Sequence, residues 1–131
     1  MKLKIKNIEL ERVIVFLENL DFRGPKSVNR SKITNFLGQQ LEEVAAGEKT
    51  IQEDYKEDRK QLEQSLKDYY KETVTVEGDN YQKGLGVIKS KIKELTAEEC
   101  EQEFSGNDAY ALSVLYEAFD LDNEANEGGE E

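Results

Sequence analysis

The sequence predicts an α+β fold that is mainly α-helical: four or five helices with one small two-stranded sheet joining the N-terminal strand to a central strand. Three observations lead there. Apolar residues recur at three- and four-residue spacing through most of the chain, two short segments alternate with period two, and the 131 residues include a single Pro.

The opening segment sets Leu3 and Ile5 on one side and Lys2, Lys4 and Lys6 on the other. Alternation with charge outward reads as a half-buried strand whose lysines guard an exposed edge. Asn7 offers a side-chain oxygen to the free N–H groups of a following helix, and Glu9 and Glu11 suit its positive end. Leu10, Val13, Ile14, Leu17 and Leu20 form one apolar stripe, so a helix is expected from Ile8 to about Leu20.

Gly24-Pro25 is the strongest punctuation in the chain, and Arg23, Lys26, Arg30 and Lys32 cluster around it. Ser27 or Ser31 is expected to cap the next helix, which turns Ile33, Leu37, Leu41 and Val44 inward. Beyond Gly47 the stripe resumes as Ile51, Tyr55, Leu62, Leu66 and Tyr69. Heptad spacing runs through Leu37, Val44 and Ile51, and again through Leu41, Glu48, Tyr55, Leu62 and Tyr69. One long helix bent near Gly47 and a helical hairpin there both fit, since Gly inside a helix costs only about 1 kcal/mol against Ala. The dense mixture of signs from Gln52 to Gln64 suits a solvated helix or a coiled-coil flank.

Thr73-Val74-Thr75-Val76 is β-branched and alternating, with Gly78-Asp79-Asn80 behind it. Its expected partner is Leu3–Ile5, because a lone strand leaves its backbone groups unpaired. A further helix from Tyr81 carries Leu85, Ile88, Ile92 and Leu95, with Gly84 and Gly86 as a close-packing or bending pair. A break is expected near Thr96, where Thr96-Ala97-Glu98-Glu99 has the form of a capping box. The last helix opens near Ser105-Gly106-Asn107-Asp108 and carries Tyr110, Leu112, Leu115, Tyr116 and Phe119. Residues 1–121 are expected to form one compact domain, and residues 122–131 an acidic disordered tail.

Twenty-nine acids against 18 bases give a formal net charge of −11. Of those acids 13 lie after Lys93, where no base occurs, so residues 94–131 carry −13 and residues 1–93 carry +2. Such a one-signed end is either a solubility feature or a surface that attracts a basic partner. The residues expected to contact that partner are Glu101, Glu103, Asp108, Glu117, Asp120 and Asp122.

Catalytic and cofactor chemistry finds little support. The chain has no His, the commonest general base and metal ligand. Cys100, the single Cys, cannot form an internal disulfide; it fits a reducing compartment and lies among Glu98, Glu99, Glu101 and Glu103, a poor setting for a nucleophile. Asp120-Leu121-Asp122-Asn123-Glu124 alternates oxygens as a calcium loop does but has Ala125 where the turn needs Gly. Gly84-Leu85-Gly86 is too short for a phosphate-binding fingerprint. Neither cofactor nor metal is expected. The loop Arg23, Lys26, Arg30 and Lys32 could touch phosphate, but direct nucleic-acid binding is not expected at this net charge. No apolar run approaches the ~20 residues of a membrane helix, and the start has no apolar stretch long enough for a signal peptide.

Several motifs, taken in order, resemble a family of small phage and prophage proteins of Gram-positive bacteria catalogued as a domain of unknown function. They are the opening Met1 to Asn7, the helix through Val13-Ile14-Val15-Phe16-Leu17 and the loop Gly24-Pro25-Lys26-Ser27. The turn Val76-Glu77-Gly78 and the closing helix from Ser105-Gly106-Asn107-Asp108-Ala109-Tyr110 to Glu117-Ala118-Phe119 complete them. The resemblance spans Met1 to about Phe119 and implies a phage origin and a non-enzymatic role in the cytoplasm of the bacterial host.

The expected function is that of an acidic binding protein that occludes a basic host protein, such as a CRISPR effector or another nucleic-acid-binding defence protein. The alternative is a virion accessory of the tail or baseplate. In that role the heptad region 37–69 would be the assembly surface, and a homodimer could form through it.

Overall fold

Leu3–Lys6 forms β1, with Leu3 and Ile5 buried and the intervening lysines exposed. It pairs antiparallel with β2, Thr73–Val76, in the register Leu3 to Val76, Lys4 to Thr75, Ile5 to Val74 and Lys6 to Thr73. The period-two pattern of both segments thus sets one apolar face, Leu3, Ile5, Val74 and Val76, against the helices. The computed structural model describes residues 1–123, so of the expected tail, 122–131, the part from Glu124 on lies outside the described residues.

A 3₁₀ turn at Asn7–Glu9 leads into α1, Leu10–Glu18, so the α-helix begins later and ends earlier than the apolar stripe suggests. Asn7 does not cap it. Its backbone N–H donates to the Glu72 carbonyl at 2.8 Å and its side-chain Nδ2 to the Tyr69 carbonyl at 2.9 Å, which ties the exit of β1 to the entry of β2. A buried side chain near a sheet meets stronger claims on its hydrogen bonds than a local cap.

The second helix, α2, spans Pro25–Asp54 without interruption at Gly47, and its 30 residues extend about 45 Å. It is capped by Gly24, with φ 61°, and Pro25 opens its first turn; Ser27 and Ser31 lie inside the helix. The chain reverses at 55–58, where an Asp58 carboxylate oxygen accepts the Gln61 N–H at 3.1 Å and starts α3, Arg59–Lys71. The helical hairpin therefore turns after Asp54 rather than at Gly47. Gly47 has a different use, since a Cβ there would collide with the Tyr69 hydroxyl. That hydroxyl donates to the Val44 carbonyl at 3.1 Å, and the Tyr70 hydroxyl to Glu48 Oε2 at 3.2 Å. No described residue from Glu48 to Asp68 is fully buried or among those packed against the core, so the far half of the hairpin stands clear of the core as an arm, while Tyr69 at its base packs on the core.

After β2 and a second 3₁₀ turn, Asp79–Tyr81, come α4, Gln82–Thr96, and α5, Gly106–Ala118. α4 packs along α2, and α5 against α1. The core joins Leu10, Val13, Phe16 and Leu17 of α1 to Ile33 and Leu37 of α2, Leu85, Ile88 and Ile92 of α4, and Leu115 of α5. Gly84 lets α4 approach α2 closely, because a Cβ there would meet the Asn29 carbonyl at 2.6 Å. The break after α4 falls at Thr96, but no helix starts there. The Thr96 hydroxyl donates back to the Ile92 carbonyl at 2.8 Å, and residues 97–105 form an irregular connection. Just beyond α5, Asp120 with φ of 57° turns the chain so that Leu121 returns to the core. Asp122, placed in the tail by the sequence, lies in a helical turn at 121–123.

Candidate functional site

Two surfaces combine concavity with distinctive charge. The first belongs to the acidic end. Along the 97–105 connection, Cys100 donates its N–H to the Ala97 carbonyl at 3.0 Å in a turn. Phe104 then lays its ring against Phe16 of α1, with centroids 5.8 Å apart in an edge contact. That aromatic contact fastens the acidic connection to the domain. Phe104, Ala109, Leu112 and Tyr116, with Thr96 and Ser113, line an open groove of about 440 Å³.

All six acids expected to meet a partner are exposed. Glu103 precedes Phe104, Asp108 precedes Ala109 and Glu117 follows Tyr116, so carboxylates adjoin the groove along the chain. The Asp122 carboxylate near the Tyr116 hydroxyl raises the phenol's pKa above its usual value, with burial a smaller cause. The six do not form one face. Asp108 and Glu117 are separated by about two and a half helical turns and point in opposite directions from α5, while Glu101 and Glu103 belong to the connection. Sequence reasoning named the acids but missed the groove. Leu112 and Tyr116 read as ordinary core stripe, and the sole trace of Phe104's role is a large aromatic amid a run of Glu.

The second surface is a cleft of about 1190 Å³ between the α1–α2 connection and α4. Arg23 and Lys26 approach from one side and Lys83 and Lys91 from the other, with Asp21 and Glu94 as the acids of the lining. Two members of the cationic loop expected to touch phosphate are here. The other two are not. Arg30 turns inward, donating through one guanidinium nitrogen to the carbonyls of Leu17 at 2.8 Å and Leu20 at 3.0 Å, while Lys32 is exposed outside the cleft lining. The Phe22 ring lies 5.5 Å from both the Arg30 guanidinium and the Lys91 ammonium. Lys83 and Lys91, remote in sequence, were not singled out.

A buried carboxylate occurs elsewhere, at Glu9. It accepts the Tyr110 hydroxyl at 2.9 Å and pairs with Arg12 at 3.4 Å, and the Arg12 guanidinium sits 4.5 Å over the Tyr110 ring. The hydrogen bond to Glu9 is the largest cause of the raised Tyr110 pKa. This satisfied cluster fastens α5 to the start of α1 and leaves no free acid or base. Among the described residues no group of three or more His, Cys, Asp and Glu could hold a metal ion, the Asp120 to Asn123 stretch included. No described helix is long and apolar enough to cross a membrane. Comparison with family models, curated proteins and solved structures matched nothing.

Proposed function

We propose that this chain is a phage-encoded, non-enzymatic acidic binding protein that inhibits a basic, nucleic-acid-binding host protein in the bacterial cytoplasm by occluding it; a CRISPR effector is one such target. The observation that carries the reading is the apolar groove of Phe104, Leu112 and Tyr116 in the part of the chain where acids occur and bases do not. Apolar side chains supply contact area, and the exposed carboxylates of this part of the chain favour basic partners and speed encounter.

The test uses immobilised wild type beside the double variant Glu103→Lys, Glu117→Lys, both exposed and adjacent in sequence to groove residues. Host lysate is passed over each, the retained protein is purified, and its association is timed. The expected partner is basic, loses its nucleic acid when bound, and associates about tenfold more slowly with the double variant. A retained partner that keeps its nucleic acid, or that binds both forms equally fast, sinks the proposal.

A second reading, a virion accessory acting through helical assembly, draws on the α2–α3 arm. Ile51, Tyr55, Leu62 and Leu66 are only half-buried there. Mass spectrometry of purified virions separates the two, since an occluding inhibitor is absent from the particle and an accessory is present.

A further inference from the structure

We propose that the cleft between the α1–α2 connection and α4 binds a short polyphosphate, held by Arg23, Lys26 and Lys83. Four of the cleft's lining residues are cations and two are carboxylates, in a chain whose net charge is −11. Lys91 is paired with Glu94 at 3.6 Å. Among the described residues Arg23, Lys26 and Lys83 have no carboxylate within ion-pairing distance. The fold therefore gathers three cations without an ion-pair partner around one concavity, two from the start of α2 and the loop before it and one from α4. Asp21 and Glu94 share the cleft lining, yet neither stands within ion-pairing distance of these three cations.

The local backbone agrees in sign. α2 begins at this cleft with no side-chain cap bond and no acid in its first turn, so neither of these offsets its positive end. The size points to a small ligand, because clefts of this order, roughly 300–1,000 Å³, take molecules of nucleotide size. The charge points the same way. A long polyanion would run into the repulsion of the whole chain, whereas a short phosphate chain meets chiefly the three cations of the cleft. The phosphate chain could be free inorganic polyphosphate or the tail of a nucleotide; the chemistry recognised is the same. These residues lie outside the apolar groove of the acidic end, so the failure of either proposal leaves the other standing.

The experiment is calorimetric titration of the full chain with sodium tripolyphosphate and, separately, with ATP, at matched ionic strength near roughly 50 mM. Lys26→Glu and Lys83→Glu are compared with Lys60→Glu, an exposed position on α3. Saturable binding at one site is expected, weakened at least about tenfold by the two cleft reversals and unchanged by the third. Tighter binding of ATP assigns a nucleotide and equal binding assigns the phosphate chain alone; both support the site. Amide shifts of wild type on adding tripolyphosphate provide a measurement that needs no variant, and they should concentrate in residues 23–29 and 83–94. Absence of saturable heat below about 1 mM ligand, equal loss in Lys60→Glu, shifts spread over the surface, or tighter binding of a single-stranded oligonucleotide than of either ligand would overturn the proposal.

Discussion

Arg30 sits within a cluster of cations beside Gly24-Pro25, yet its guanidinium reaches back to the end of α1 and meets the Leu17 and Leu20 carbonyls there. The last carbonyls of a helix have no partner within it, so a cation from the next helix both satisfies them and suits the negative end of α1. Arg30→Met keeps an unbranched stem beside Phe22 and removes the donors. It should lower the unfolding free energy by about 1–3 kcal/mol in urea denaturation, whereas Arg23→Met, exposed at the cleft, should change it little. Charge spacing locates this loop in the sequence but does not say which cation folds inward; that depends on where α1 ends. The same ambiguity explains the misplaced caps. Asn7, Ser27, Ser31 and Thr96 all have the right chemistry to begin a helix, and each finds another position or partner once the strands and helices have packed.

At the scale of elements, the α2–α3 hairpin depends on close approach at Gly47. An exposed helix interior normally gains about 1 kcal/mol when Gly is replaced by Ala. Here the added methyl would collide with the Tyr69 ring and hydroxyl and break the bond to the Val44 carbonyl. Gly47→Ala should therefore destabilise the protein by about 1–2 kcal/mol, as overpacking does. In a Tyr69→Ala background the same substitution should stabilise it, and thermal melts of the four proteins check that reversal of sign. If Gly47→Ala stabilises both backgrounds, the contact does not constrain the hairpin. Heptad spacing made helix legible throughout this region but left one bent helix and a hairpin at Gly47 both open, and the true turn was hidden. Gly47 looked like the natural break, while the true reversal at 55–58 lies in a run of charged residues and is marked by Asp58 as cap. The sheet was easier, because two alternating segments and no third candidate leave one way to satisfy both backbones.

Across the whole molecule, charge is divided more sharply than fold. The acids of residues 94–131 were legible in composition alone, but the groove beside them needed Phe104 and Tyr116 to be brought together across the 97–105 connection. The cleft was half legible, since Arg23 and Lys26 lie in one loop while Lys83 arrives only when α4 packs on α2. A consequence for stability follows from the clustering. Glu98, Glu99 and Glu101 are exposed and crowded in an irregular connection with no base after Lys93 to offset them. Their mutual repulsion is relieved when the chain unfolds and is screened over about 10 Å at 0.1 M salt. The triple variant Glu98→Gln, Glu99→Gln, Glu101→Gln should thus melt higher than wild type in about 10 mM salt, where the Debye length is about 30 Å. The gain should shrink steadily as NaCl is added, because screening gives wild type what the substitutions give the variant. Differential scanning calorimetry across a salt series reads both effects. A variant no more stable than wild type at low salt would mean that the connection already disperses its charges in the folded state, and that the acidity of this end imposes no penalty on folding.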